Sequence, residues 1–174
     1  MMVNEANGGL ETVLIAYGSN LSPGAAPASQ AFARVVKSLS DRGLIITKIS
    51  RLWRSEAWPD PSDPPYVNAV MAVQSSHSPH EILKLLHDVE RESGRVRDGR
   101  RNAPRVLDLD LVAYGNRVIE REGLVLPHPR AAERGFVMGP LAEILPDWVH
   151  PVLQKTGREL LENITVGLDA HPMN

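Results

Sequence analysis

Two aspartates alternate with leucines near the middle of the chain, in the run Leu107-Asp108-Leu109-Asp110-Leu111. Such alternation is the period-two pattern of a β-strand, in which residues two apart point to the same face, about 6.5–7 Å apart. Two carboxylates that close repel each other, and a divalent cation relieves the repulsion. Mg²⁺ in particular binds one or two carboxylates together with substrate phosphates. The spacing therefore indicates a magnesium site on Asp108 and Asp110, although the same run also suits an edge strand with a solvated face.

A local concentration of positive charge accompanies the two acids. Six arginines lie just before them, at Arg91, Arg95, Arg97, Arg100, Arg101 and Arg105, in a chain whose formal net charge is −2. Guanidinium groups bind phosphate oxygens in a bidentate manner, and cations near a reacting phosphate stabilise its developing charge. The sequence contains neither a Walker loop nor a dinucleotide-binding glycine motif. Arginine side chains and metal are therefore expected to hold the phosphates of any bound nucleotide.

Composition limits the class of protein. None of the 174 residues is cysteine, so thiolate catalysis, disulfides and cysteine-based zinc sites are excluded. A pI near 6.3 argues against a nucleic-acid-binding protein, which would carry a basic surface. The start of the chain lacks a secretory signal pattern, and no apolar run reaches the roughly 20 residues of a membrane span. We therefore expect a cytoplasmic protein without nucleic-acid or membrane partners.

Hydrophobic periodicity predicts the elements that position these residues. Strands are predicted over 12–17, 44–53, 66–74 and the aspartate run, short strands within 116–126, and helices over 27–40, 78–94, 136–144 and 156–163. Four prolines between residues 59 and 65 predict a long loop there. The order strand–helix–strand–strand–helix–strand is typical of a ferredoxin-like α+β sandwich, a mainly antiparallel sheet flanked by helices, here expected on one face. The length predicts a single domain over residues 1–174, with flexible ends at 1–10 and 167–174.

Four further side chains are candidates for binding. Tyr66 and Asn68 lie one strand step apart and face the same side, so a stacking ring and an amide could receive a flat heterocycle. His128 lies between two prolines in a rigid loop. Taken alone, each has an ordinary alternative: an aromatic on a strand, like Phe136 in a helix, is usually core, and a lone histidine is usually structural.

Six strings in a fixed order make these patterns more specific. They are Ala16-Tyr17-Gly18-Ser19-Asn20-Leu21, Tyr66-Val67-Asn68-Ala69, Gly94-Arg95-Val96-Arg97, Pro104-Arg105-Val106-Leu107-Asp108-Leu109-Asp110-Leu111, Leu126-Pro127-His128-Pro129 and Arg134-Gly135-Phe136. Together they closely resemble the 6-hydroxymethyl-7,8-dihydropterin pyrophosphokinase family of the folate pathway. The resemblance extends over about residues 12–150, which it implies are the catalytic core.

The resemblance implies an activity. It implies transfer of pyrophosphate from ATP to 6-hydroxymethyl-7,8-dihydropterin by direct in-line attack assisted by two Mg²⁺ ions, giving AMP and the pterin diphosphate. A ferredoxin-like fold, ordered loop closure and a monomer are implied as well. One alternative is a phosphoryl or nucleotidyl transferase of the same fold that acts on another substrate. A second is an RNA-binding module on the same sheet topology, which the aromatic content of 5% and the acidic pI disfavour.

The resemblance also implies roles for individual residues. Those implied to engage the transferring phosphates are Arg95 and Arg105, and those implied to bind both metals are Asp108 and Asp110. Those implied on the ATP side are Glu90, Arg97, Leu111, His128 and Arg134. Those implied to bind the pterin are Ser55, Glu56, Trp58, Tyr66, Asn68 and Phe136, with the two rings enclosing it and the amide reading its polar edge.

Several positions depart from the family pattern. Asn102 replaces a common tryptophan in a loop that seals the site, and Glu56 and Ala57 replace a proline-rich pair. Asp98 is an acid at a usually basic position, and His87 replaces a glutamine that contacts ATP. Gly123 and Val125 each replace a polar residue that contacts ATP. Because the implied metal ligands and both central arginines are intact, we expect altered loop closure and nucleotide affinity with the chemistry retained.

Overall fold

The computed structural model describes residues 9–20, 27–93 and 107–174. The strands are β1 (Glu11–Asn20), β2 (Ile45–Ile49), β3 (Trp53–Ser55), β4 (Tyr66–Ser75), β5 (Asp108–Tyr114), β6 (Ile119–Arg121), β7 (Leu124–Leu126) and β8 (His171–Pro172). The helices are α1 (Ala28–Asp41), α2 (Pro79–Glu92), α3 (Gly135–Ile144) and α4 (Gly157–Leu161), with a short 3₁₀ turn at Ala131–Glu133. The predicted α+β order is confirmed.

One antiparallel sheet organises the described residues. Its strand order is β5-β1-β4-β3-β8, with β2 also paired to β4, while β6 and β7 form a separate hairpin. The pairing of β1 with β5 is interrupted by a bulge, because Leu14 lies opposite Ala113 whereas Ile15 lies opposite Leu111. Val112 is the extra residue of the bulge, and such a residue bends the strand and increases its twist.

The two faces of the sheet bury different cores. On β1, Val13, Ile15 and Tyr17 pack with the apolar stripes of α1 and α2. The alternate residues Leu14 and Ala16 pack with α3 and α4 on the opposite face. The expectation of helices on one face was therefore incomplete, because the apolar residues of α3 need a second buried surface. This arrangement leaves one end of the α3 face open at the start of β5.

Helix α2 begins as its sequence predicts. The side chain of Ser78 accepts a hydrogen bond from the backbone N–H of Glu81, whose carboxylate accepts in turn from the backbone N–H of Ser78. This reciprocal pair is a capping box, and Pro79 occupies the first helical position. The buried side chains of Ile82, Leu86 and Val89 then fix the helix against the sheet.

Two stretches differ from the sequence prediction. The strand predicted over 44–53 is divided into β2 and β3, because the Ser50 hydroxyl accepts from the backbone N–H of Val70 at 3.0 Å in place of a regular ladder. The chain end expected to be flexible instead forms β8, which pairs with β3. No helix among the described residues is long and apolar enough to cross a membrane. That residues 1–174 form one domain stays a prediction.

Candidate active site

A cavity of about 260 Å³ opens at the end of the sheet where β5 begins and β1 ends. Six stretches of the chain line it: β1, the end of β3 with the following loop, the start of β4, β5, the segment from Arg130 through the 3₁₀ turn into α3, and the C-terminal segment at Val166. Its lining residues are Ala16, Tyr17, Gly18, Ser55, Glu56, Trp58, Tyr66, Asn68, Asp108, Asp110, Arg130, Glu133, Arg134, Phe136, Val137 and Val166.

Asp108 and Asp110 lie together on the floor of this cavity. They are opposite Gly18 and Ala16 of β1, and both are half-buried. Leu109, between them, points into the opposite core and is 3% exposed. The predicted common face is therefore confirmed, and the small residues opposite leave space above the two acids. Within the described ranges no third acid, histidine or cysteine completes a metal cluster.

Glu90 holds the strand that carries the two acids. Its carboxylate is buried on α2 and accepts from the backbone N–H of Leu109 at 2.8 Å, on the edge of β5 that faces away from β1. A charge-assisted bond of this kind is stronger than one between neutral groups. The carboxylate therefore fixes the backbone midway between Asp108 and Asp110.

A buried polar pair lies on the same sheet as the acids, with Gly18 of β1 between Asn68 and Asp108. The Asn68 side-chain amide donates to the Ser55 hydroxyl at 2.9 Å, and both residues are buried. A Cβ placed on Gly18 would lie 3.7 Å from the side-chain oxygen of Asn68. A larger residue at position 18 would therefore cover that amide, whereas glycine leaves it facing the cavity.

Two aromatic rings enter the cavity from different elements. Tyr66 begins β4, and Phe136 lies in the first turn of α3. The Arg134 guanidinium lies 5.7 Å from the centre of the Phe136 ring, within cation–π range. Trp58, in the proline-rich loop between β3 and β4, also lines the cavity and is 67% exposed. The six residues predicted on the pterin side thus line one cavity, and their binding of a pterin stays a prediction.

A second concavity of about 360 Å³ adjoins the first along the outer edge of β5. The two concavities share Asp108 and Asp110. Three of the residues predicted on the ATP side line the second concavity, as do three that depart from the family pattern: Glu90, Leu111, His128, His87, Gly123 and Val125. Arg134, also predicted on the ATP side, lines the first cavity instead. Arg95, Arg97, Arg105, Asp98 and Asn102 lie outside the described residues.

His128 is held in a defined orientation beside the acids. Its Nδ1 accepts from the backbone N–H of Arg130 at 3.2 Å. Burial lowers the pKa of His128, and the charges of Arg134 and Arg130 act in the same direction, while the negative charge of Asp110 opposes them. The ring is therefore favoured in its neutral form, in which the bonded Nδ1 is an acceptor and Nε2 a donor.

Sequence reasoning missed the part of the site contributed by the C-terminal segment. Val166 lines the cavity, together with Arg130 and Glu133. The Asp169 carboxylate accepts from the backbone N–H of Glu56 at 2.6 Å. No motif or periodic pattern marks Val166 or Asp169. The only local signal is Gly167, whose φ of +69° favours glycine.

Comparison with known proteins gives consistent matches. A family model described as 7,8-dihydro-6-hydroxymethylpterin-pyrophosphokinase matches residues 14–146. A 2-amino-4-hydroxy-6-hydroxymethyldihydropteridine pyrophosphokinase of Synechocystis is 42% identical over 122 residues, covering 70% of this chain and 62% of the relative. The similarly named Haemophilus influenzae protein is 40% identical over 142 residues, covering 80% and 85%.

A solved structure shows the same fold. The crystal structure of Plasmodium falciparum HPPK-DHPS superposes with a TM-score of 0.70 at 12% identity, covering 94% of this chain and 48% of that chain. At that identity the match concerns the fold alone. The chain thus spans less than two thirds of both the Synechocystis relative and the Plasmodium chain.

Proposed function

The chain belongs to the 7,8-dihydro-6-hydroxymethylpterin-pyrophosphokinase family, and on this premise we propose that it transfers pyrophosphate from ATP to 6-hydroxymethyl-7,8-dihydropterin. The products are AMP and the pterin diphosphate. The observation that carries the proposal is the position of Asp108 and Asp110, which form the shared floor of two adjoining concavities. One concavity has the rings and amide suited to a flat heterocycle. The other, at the edge of β5, is the place proposed for the nucleotide.

The pterin is proposed to lie in the first cavity, between Tyr66 and Phe136. A flat, polar-rimmed bicyclic ring is bound best by aromatic faces together with hydrogen bonds at its edge. The Asn68 amide, held by Ser55, supplies such a bond, and backbone groups of the loop from Ser55 to Trp58 supply others. A site with fixed polar partners discriminates strongly against analogues that lack the matching group, because its own groups would stay unpaired.

Asp108 and Asp110 are the proposed ligands of the two Mg²⁺ ions. Two half-buried carboxylates on one face fit this metal, which takes few protein ligands and completes its shell with water and phosphate oxygens. When bound, magnesium neutralises phosphate charge and favours in-line geometry. Glu90 is proposed to contribute by fixing the backbone between these two acids.

The transfer itself requires positioning and charge stabilisation more than covalent help from the protein. The pterin hydroxyl oxygen forms a bond to the β-phosphorus and loses its proton to solvent. The bond from that phosphorus to the α,β-bridging oxygen breaks, so negative charge moves onto the departing AMP. Arg95 and Arg105 are proposed to stabilise this charge, a role that rests on the family resemblance. The residues proposed to bind ATP are Glu90, Arg97, Leu111, His128 and Arg134. We further propose that the protein acts as a monomer in the cytoplasm.

The test is AMP formation by the Asp110→Asn variant, measured by chromatography with ATP and the reduced pterin. The amide of asparagine has nearly the same shape as the carboxylate but carries no charge. Its substitution should lower turnover by about 10²–10³-fold, since a metal-binding charge contributes several kcal/mol at the transition state. The matched control is Asp41→Asn, an exposed acid on α1. Wild-type turnover by Asp110→Asn would contradict the metal assignment. AMP formation by the unchanged protein that does not depend on the pterin would contradict the proposed acceptor.

A further inference from the structure

We propose that residues 164–173, here called the C-terminal strap, position the pterin-facing walls of the cavity, and that Asp169 is the positioning residue that fixes the loop at Glu56. The strap lies beyond the segment matched by the family model, which ends at residue 146. The inference rests on the proposed function for the identity of the ligand. It rests on the contacts of the strap for everything else.

The strap is bonded first to the wall that carries Phe136. The backbone carbonyl of Val166 accepts from the backbone N–H of Gly135 at 2.7 Å. The carbonyl of Glu133 accepts from the backbone N–H groups of Thr165 and Val166, at 2.9 and 3.0 Å. These three backbone bonds surround the start of α3. The Val166 side chain then completes part of the cavity wall.

The strap also supports the ring of Phe136 directly. A Cβ at Gly167 would lie 2.6 Å from Cδ1 of that ring, so the glycine backbone is in close contact with the aromatic edge. A Cβ at Gly135 would in turn overlap the carbonyl oxygen of Gly167. Two glycines therefore allow the strap to approach the ring, and a displaced strap would remove support from it.

The other end of the strap holds the opposite wall. β8 pairs with β3, and the backbone N–H of Met173 donates to the carbonyl of Leu52 at 2.8 Å. The Asp169 carboxylate accepts a hydrogen bond from the backbone N–H of Glu56, the first residue after β3. The strap thus joins the segment of Phe136 to the segment of Ser55 and Glu56. Because both segments line the cavity, the strap helps to set their separation.

A purely structural strap would affect stability and both ligands alike, whereas a positioning strap affects the pterin selectively. Asp169 is exposed and its carboxylate fills no core, so its substitution should leave the fold intact. The variants are Asp169→Ala, which removes the acceptor, and Asp169→Asn, which keeps an acceptor oxygen. The control is Leu168→Ala, a neighbouring strap residue that is 73% exposed.

The measurement is calorimetric binding of 6-hydroxymethylpterin in the presence of an ATP analogue whose α,β-bridge is a methylene group. Loss of one charge-assisted hydrogen bond should raise the pterin Kd of Asp169→Ala about tenfold. The Kd of the ATP analogue alone should stay unchanged, Asp169→Asn should recover most of the pterin affinity, and Leu168→Ala should match the unchanged protein. In turnover, KM for the pterin should rise more than kcat falls.

An unchanged pterin Kd in Asp169→Ala would overturn the inference, as would equal weakening of both ligands with a lowered Tm. If the unchanged protein binds no pterin, the proposed function fails, and hydrogen exchange then decides the role of the strap. In a variant ending at Asn163, which removes the whole strap, faster exchange confined to residues 53–58 and 134–137 would support it. Unaltered exchange in both segments would refute it.

Discussion

Glu143, at the end of α3, joins that helix to the start of β3. One carboxylate oxygen accepts from the backbone N–H of Arg51 at 2.9 Å and from its Nε at 3.2 Å. The other accepts from the indole N–H of Trp53 at 2.8 Å. The Glu143 side chain is 22% exposed, whereas that of Arg51 is 62% exposed. The carboxylate lies outside the cavity lining, yet it holds the strand on which Ser55 is placed.

Replacing Glu143 with alanine should lower the free energy of unfolding by about 2–3 kcal/mol. The exposed ion pair with the Arg51 side chain contributes little to this sum, because surface pairs are typically worth about 0–1 kcal/mol. The two remaining bonds to a shielded carboxylate contribute roughly 1–1.5 kcal/mol each. For a chain of this size the loss corresponds to a fall in Tm of about 5–10 °C. Glu143→Gln, which retains one acceptor oxygen, should lose about half as much.

Urea unfolding followed by circular dichroism measures this loss, and the control is Glu122→Ala, an exposed residue in the turn between β6 and β7. The denaturation midpoint should move while the slope stays constant, as expected for a change in stability alone. A loss below about 0.5 kcal/mol in Glu143→Ala would show that water replaces these hydrogen bonds without cost, and the reasoning would then be wrong.

Two further predictions concern acid sensitivity and the contact of α3 with the strap. Burial raises the pKa of Glu143, but the hydrogen bonds from the Arg51 backbone, Trp53 and the Arg51 side chain outweigh it and lower the pKa below the ordinary 4.5. The ionised carboxylate should therefore contribute its full stabilisation above about pH 4.5 and lose it as the pH falls through the lowered pKa. The urea midpoints of the unchanged protein and Glu143→Gln should accordingly converge in acid. Gly135→Ala should place a methyl group against the Gly167 carbonyl, lower stability by about 1–3 kcal/mol and weaken pterin binding, both measurable by thermal unfolding with and without ligand.

Local alternation was sufficient to predict which site residues share a face. Asp108 and Asp110, like Tyr66 and Asn68, are separated by one strand step, and the pleat alone places each pair on one side. The family resemblance added the prediction of which residues, far apart in the chain, form one site. The roles of Arg95 and Arg105 remain predictions, because both lie outside the described residues.

Contacts between distant segments could not be predicted in this way. The bond from Glu56 to Asp169 joins residues 113 positions apart, and nothing periodic in the tail marks the acceptor. The hydrogen bond from the backbone N–H of Leu109 to the Glu90 carboxylate likewise depends on how α2 packs against the edge of β5, which no single segment specifies. The division between β2 and β3 follows from one serine hydroxyl that competes with the ladder, as short polar side chains often do.

The bulge at Val112 has a consequence for the whole acidic strand. Leu109, Leu111 and Tyr114 belong to the core of α1 and α2, whereas Ala113 belongs to that of α3, so the odd–even assignment of faces changes at the bulge. Without the extra residue, the side chains of one half of β5 would point to the opposite face. Leu109 and Leu111 would then face the cavity in place of Asp108 and Asp110. Deletion of a single residue at the bulge would therefore move the two acids from the open cavity into the core, with no intermediate arrangement.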